Sequence, residues 1–251
     1  MKALGIIGYH HTGKTTLATF LISRLWERGY KINSIKDIHN EAYRADTEGS
    51  NSWKHARAGA SRVLAIGTRD AALVMTPQPN LRSALQLFDC DWLIVEGMKE
   101  AALPKLVCAV SEAQLEELVD DSCIGISGPI AGSISHFRGL PCFCLERDAV
   151  QLIDTVLEKT FNILPQSDPE CCSACGYDCN AMAARIVQGT SKREDCVLDG
   201  KQELKLFVND RQVSIVPFVQ NILRDTIRAQ VGNLKDLDPD GAIRVEIKAR
   251  T

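Results

Sequence analysis

Eight residues near the start of the chain, Gly8-Tyr9-His10-His11-Thr12-Gly13-Lys14-Thr15, fit the pattern G-x-x-x-x-G-K-[ST] and constrain the fold more than any other feature. The apolar run Ala3 to Ile7 precedes them. Leu17, Phe20, Leu21 and Leu25 follow at helical spacing until Gly29 stops the helix. A strand, a glycine-rich turn and a helix in that order form a P-loop, in which backbone N–H groups and the positive end of the helix surround a phosphate. Two glycines let the chain turn tightly enough to do so.

Each position of the loop has a chemical reading. Lys14 is expected to reach the β- and γ-phosphates, and Thr15 to place its hydroxyl on a magnesium ion, which prefers hard oxygen ligands. Gly8, His10, His11, Thr12, Gly13 and Thr16 complete the expected nucleotide-binding set. A second acidic component is expected at the end of an apolar strand. Asp91-Trp92-Leu93-Ile94-Val95-Glu96-Gly97 supplies Glu96 there, at the carboxyl end of the sheet where such folds bind ligands. Glu96 is read as a magnesium or nucleophile-orienting carboxylate. Asp37, in Ile35-Lys36-Asp37-Ile38-His39, is a further metal-side or phosphate-side candidate. Lys14, Glu96 and Asp37 form the candidate catalytic group, and His10, His11 and His39 are polar neighbours.

The remaining pattern to about residue 160 alternates short apolar strands with amphipathic helices. That predicts an α/β, P-loop NTPase-like domain with a mainly parallel sheet and helices on both faces. Strands are predicted at Lys31 to Ile35, Arg62 to Ile66, Ala72 to Met75, Trp92 to Val95, Lys105 to Val110, Cys123 to Ile126 and Pro141 to Cys144. Helical spacing covers Leu81 to Phe88, Glu112 to Leu118 and Ala149 to Phe161. The polar, proline-bearing stretch Leu164 to Glu170 suggests a boundary. The domain expectation is 1–163 for nucleotide binding, 168–198 for a small cysteine module and 199–251 for an α+β tail. In the tail, Glu203 to Val208 and Gln212 to Val216 suggest a hairpin around Asn209-Asp210-Arg211. A helix is expected from Pro217, and a closing strand over Ile243 to Ile247.

A net charge of −3 without long like-charge runs argues against a nucleic-acid surface as the main business. No long uninterrupted apolar stretch suggests a membrane span, and the opening residues run into the glycine-rich motif where a signal peptide needs its apolar core. The expected location is therefore the cytoplasm.

Ten cysteines fall into two groups of five. Cys90, Cys108, Cys123, Cys142 and Cys144 sit in or beside apolar segments, where a thiol acts as a small buried hydrophobe. Cys171, Cys172, Cys175, Cys179 and Cys196 crowd together. Cys172-x-x-Cys175-x-x-x-Cys179, then sixteen residues to Cys196, offers four thiolates, the number a [4Fe–4S] cluster takes. Gly176 lets the chain pass close to inorganic sulfide, and a helix over Asn180 to Val187 ended by Gly189 would return Cys196 toward the other three. A structural zinc site is the rival, although zinc ribbons usually present two close C-x-x-C pairs. Cys171 is a spare neighbour.

The first 160 residues resemble the molybdopterin-guanine dinucleotide biosynthesis protein B (MobB) family. The likeness rests on Gly8 to Thr16, on Ser34 to His39, on Asp46-Thr47-Glu48-Gly49-Ser50-Asn51-Ser52 with Ala58-Gly59-Ala60, and on Leu93 to Lys99. Ser50-Asn51 stands where that family often has a lysine-aspartate pair. The resemblance implies GTP binding with magnesium, a homodimer, molybdopterin as a candidate ligand, and at most weak GTP hydrolysis. It also implies an adapter role beside a cofactor nucleotidyltransferase and a molybdenum or tungsten oxidoreductase apoprotein. The segment around Cys175-Gly176-Tyr177-Asp178-Cys179 is similar to four-cysteine iron–sulfur modules of anaerobic redox proteins. The alternative from another class is an NTP-dependent iron–sulfur electron-transfer or metallocentre-maturation protein. No Asn-Lys-x-Asp-like element marks guanine, so base preference does not follow from the motifs themselves.

Overall fold

Strand β1 (Lys2–Gly8) is apolar toward both faces, and both faces are covered: Leu4 and Ile6 pack to one side, Ala3 and Ile7 to the other. A strand buried on both faces belongs inside a parallel sheet covered by helices. The computed structural model describes residues 1–40, 42–167, 175–196, 198, 204, 206–208, 211–213, 217–234 and 243–245. Two compact units emerge, one made of Met1–Gln166 with Cys179–Arg193, the other of Ser167–Asp178 with Glu194–Thr251.

In the first unit, β1 leads through the glycine-rich loop into α1 (Lys14–Trp26), and β2 (Ile32–Lys36) follows. Helix α2 (Asn51–Arg57) comes next, with its N-terminus capped by the Ser50 hydroxyl, which accepts from the Trp53 N–H. Strands β3 (Arg62–Ile66) and β4 (Ala71–Met75) then form an antiparallel ribbon of their own. After α3 (Leu81–Ala84) come β5 (Trp92–Glu96), β6 (Lys105–Cys108), α4 (Glu112–Leu118) and β7 (Cys123–Ser127). The hairpin β8 (His136–Phe137) and β9 (Leu140–Pro141) precedes α5 (Ala149–Lys159), and α6 (Cys179–Val187) completes the unit.

The sheet order is β2-β5-β1-β6-β7, and every neighbouring pair is parallel. One face packs Leu17, Leu21 and Leu25 of α1 with Leu152, Ile153 and Val156 of α5 against Leu4, Ile6, Trp92, Ile94 and Leu106. On the other face, Leu115 and Leu118 of α4 cover Ile7 and Val107, while Leu81 and Leu103 cover Ala3, Leu93 and Val95. The α/β class with a mainly parallel sheet and helices on both faces is therefore observed. Helix α6 packs on β7 with Met182 and Ala183 buried, and Gly189 follows it in the left-handed region.

Several details depart from the pattern reading. The strands at 62–66 and 71–75 exist but stay out of the parallel sheet, because they pair with each other across a short turn. Pro141 to Cys144 shrinks to the last residue of β9 plus one parallel bridge from Ile126 to Cys142. The apolar run Leu81 to Phe88 breaks into α3 and a 3-10 turn over Leu85–Leu87.

The second unit contains the hairpin β10 (Leu206–Val208) and β11 (Arg211–Val213), and helix α7 (Pro217–Gly232). The hairpin expectation extends onto residues 203, 205, 209–210 and 214–216, which lie outside the described residues, as do 246–247 of the expected closing strand. Residues 243–245 are irregular. No helix among the described residues is long and apolar enough to cross a membrane.

Candidate nucleotide site

Where β1 meets α1, the backbone adopts conformations that glycine allows. Gly8 has φ 152° and Gly13 has φ 90°, so the loop turns where L side chains strain. A Cβ at Gly8 would stand 2.3 Å from the Cys108 carbonyl oxygen and 2.7 Å from Thr12 Oγ1. Cys108 ends β6, the strand beside β1, and it is deeply buried. Burial pushes its thiol up to about 12, which suits packing and not nucleophilic chemistry. Behind the loop, a Cβ at Gly128 would meet the Thr12 carbonyl at 2.5 Å, so the residue after β7 also supports the turn.

The loop's polar side chains are fixed by near neighbours. Buried Thr12 donates through Oγ1 to the Tyr9 carbonyl at 2.9 Å. Lys14 Nζ donates to the same carbonyl at 2.5 Å, folding its ammonium back over the loop. Tyr9 donates its phenolic hydrogen to Glu117, and that hydrogen bond raises the phenol above its ordinary range.

At the carboxyl end of the sheet, Thr15 Oγ1 donates to Glu96 Oε1 at 2.8 Å. Glu96 closes β5 and lies in register beside Lys36, the last residue of β2. The Lys36 ammonium stands 3.2 Å from Glu96 Oε1 and 3.2 Å from Thr15 Oγ1. Asp37 is one residue further on. Its Oδ2 accepts from the Met98 N–H at 3.2 Å and lies 2.9 Å from His39 Nε2, so its carboxylate braces the turn after β5. Gly97 is required in that turn, since a Cβ there would stand 2.7 Å from Asp37 Cβ.

One cavity of about 770 Å³ collects these groups. Its walls include Gly8 through Thr16, Lys36 through Asn40, and Glu96 through Lys99. The expected residues Gly8, His10, His11, Thr12, Gly13, Lys14, Thr15, Thr16, Asp37, His39 and Glu96 are thus brought together. The pattern reading missed Lys36 as a partner of Thr15 and Glu96. Its signal is positional, a cation at the end of one strand beside a carboxylate at the end of its neighbour, and the pairing of β2 with β5 must be known to see it.

The cysteine residues do not form one described set. Cys171 and Cys172 lie outside the described residues, Cys175 and Cys196 belong to the second unit, and Cys179 opens α6 in the first. Among the described residues no three His, Cys, Asp or Glu side chains converge as a metal site. Cys90, Cys108, Cys123, Cys142 and Cys144 are not in disulfides, and Cys108, Cys123 and Cys142 are buried.

A family model described as MobB, molybdopterin guanine dinucleotide synthesis protein B, matches residues 3–126. A second, described as "Putative Fe-S cluster", matches residues 164–198. A Methanocaldococcus jannaschii protein called "Putative molybdopterin-guanine dinucleotide biosynthesis adapter protein" is 28% identical over 98% of this chain and 97% of its own. The molybdopterin-guanine dinucleotide biosynthesis adapter protein of Escherichia coli is 32% identical over 47% of this chain and 72% of its own. Among solved structures, the crystal structure of Bacillus subtilis MobB superposes with a TM-score of 0.54 at 24% identity. That match covers 64% of this chain and 99% of the other, and it shows the shared fold.

Proposed function

We propose, because this chain belongs to the family of molybdopterin-guanine dinucleotide biosynthesis protein B, that it is a GTP-binding adapter in making or delivering the guanine dinucleotide form of the molybdenum or tungsten cofactor. The observation that carries the reading is the single cavity that joins the Gly8–Thr16 loop to Glu96. Its residues fit a nucleoside triphosphate with magnesium. The Gly8 turn leaves no room for a side chain, the Lys14 ammonium hangs over the loop, and Thr15 with Glu96 supplies two hard oxygens. Magnesium bound there would polarise phosphate oxygens. Lys14 would exchange the Tyr9 carbonyl for phosphate, Glu96 would orient the hydroxyl of Thr15 or a water, and Asp37 would hold the Gly97–Met98 turn in shape. GTP hydrolysis, where it occurs, is slow, and binding is the working state.

The second part of the reading is a [4Fe–4S] cluster on Cys172, Cys175, Cys179 and Cys196. A set of four thiolates fits that cluster, with zinc as its competitor. The proposed divisions of the sequence are 1–163, 168–198 and 199–251, with the last two carrying the cluster and partner contacts and residues 179–193 also packing with the first unit. Partners are a cofactor nucleotidyltransferase and the recipient oxidoreductase apoprotein, with molybdopterin as a ligand, in the cytoplasm. A homodimer is part of the proposal. Leu64, Ile66 and Leu73 lie exposed on one face of the β3–β4 ribbon, an apolar area that a second copy would cover.

The test is anaerobic purification followed by iron, sulfide and zinc analysis, with GTP and ATP affinities measured on the same sample. About four irons per chain and a preference for GTP are expected. Zinc in place of iron would replace the cluster by a structural metal, and an ATP preference with fast turnover would overturn the adapter reading.

A further inference from the structure

The Lys36 ammonium is not placed as a phosphate-binding lysine at rest. It stands 3.2 Å from Thr15 Oγ1 and 3.2 Å from Glu96 Oε1, while those two oxygens are 2.8 Å from each other. The three atoms form a tight triangle at the end of β2, the end of β5 and the first turn of α1. Glu96 is largely covered, with 12% of its side chain exposed, so its charge is held close to its neighbours and not dissipated in solvent. Lys36 is half exposed on a long flexible stem, free to swing.

We infer that Lys36 is a resident counter-cation that makes divalent-cation binding conditional on nucleotide. Thr15 and Glu96 would hold a magnesium ion through the same two oxygens that the Lys36 ammonium contacts. An ammonium within hydrogen-bond distance of the same two oxygens and a dication between them repel strongly, so one must leave. Lys36 leaves at least cost when another anion is near. It lines the cavity of the Gly8–Thr16 loop, where nucleotide phosphates would lie within reach of its stem. The cation alone must displace Lys36 without compensation, whereas cation and nucleotide together give the ammonium a new partner. This inference rests on the reading of Thr15 and Glu96 as the cation ligands.

The experiment is a manganese titration of the full-length chain by electron paramagnetic resonance, with and without a non-hydrolysable GTP analogue. Wild type, Lys36→Met, Lys36→Arg and Glu96→Gln are compared after circular dichroism and melting show that each is folded. Without nucleotide, Lys36→Met is expected to bind manganese about tenfold more tightly than wild type, and Lys36→Arg to behave as wild type. With the analogue bound, the gain disappears or reverses. Equal nucleotide-free manganese affinity in wild type and Lys36→Met, with Glu96→Gln still weakening manganese in the nucleotide complex, overturns the role of Lys36 and leaves the site standing. Manganese binding in the nucleotide complex that is indifferent to Glu96→Gln overturns the cation site and the inference with it.

Discussion

Strands β1 and β3 start from similar apolar sequence and end in opposite circumstances. In β1, Leu4 and Ile6 are fully buried and the strand is flanked on both edges. In β3, Val63 is buried but Leu64 and Ile66 on the opposite face are exposed, and among the described residues the strand pairs only with β4. An apolar run reports that a segment is a strand without reporting which sheet receives it. The difference also divides the work. A strand flanked on both edges holds Gly8 so close to Cys108 and Thr12 that a Cβ there has no room, whereas a ribbon with one open apolar face is suited to meeting another surface.

That division can be broken at four places. Lys14→Ala is expected to weaken GTP binding about a hundredfold, the scale of losing charge-assisted hydrogen bonds, while the melting temperature stays within about 2 °C. Calorimetric titration decides it, and undiminished affinity would remove the nucleotide site from the β1 end of the comparison. Gly8→Ala should lower folding stability by about 2 kcal/mol, because the added carbon meets the Cys108 carbonyl and the φ is unfavourable. Urea unfolding that matches wild type would mean that the clamp is looser than its contacts indicate.

The sheet also carries a buried cation. Lys105 at the start of β6 is covered, and its ammonium lies 3.0 Å from Asp120 Oδ2. Burial pushes the Asp120 carboxyl up, but hydrogen bonds from Ser122 and Lys105 outweigh it and hold the group below its ordinary range. A carboxylate depressed in the folded state stabilises above its unfolded pKa of about 4 and loses that contribution as pH falls through the lower folded value. Asp120→Asn is therefore expected to cost about 1 kcal/mol at neutral pH, modest because Asp120 is half exposed. The gap from wild type should close in melts taken below pH 4 or so; a gap that is constant with pH would assign the loss to packing. The smallest folding effect belongs to the ribbon. Leu64→Ser with Ile66→Ser should change stability by less than about 0.5 kcal/mol yet convert a dimer to monomer in sedimentation. A dimer that survives the pair would place the interface elsewhere.

Much of this was legible because it is local. The Gly8–Thr15 loop needs only contiguous residues, and β1, β5 and β7 announce themselves because both faces are apolar. Helix α4 shows its period in Leu115 and Leu118. What escaped depends on partners far along the chain. Lys36 and Glu96 are sixty residues apart and meet through the register of β2 on β5. The short helix α2 buries none of its residues, so it has no apolar stripe to read, although Ser50 three residues before Trp53 marks its cap. The ribbon's separation from the sheet is likewise a matter of pairing, which alternation of side chains does not encode.

The path of the chain after residue 166 carries a further consequence. Residues 179–193 return to the first unit, with α6 seated on β7 and the buried Arg193 donating through its guanidinium to the carbonyls of Asn162 and Ile163. The stretch matched by the iron–sulfur model is therefore no detachable appendix. A shortened chain ending at Gln166 would uncover the outer side of β7 and strip two carbonyls of their donor, whereas one ending after Arg193 would keep both. Part of the stretch that the iron–sulfur model matches is thus wall and fastening for the first unit.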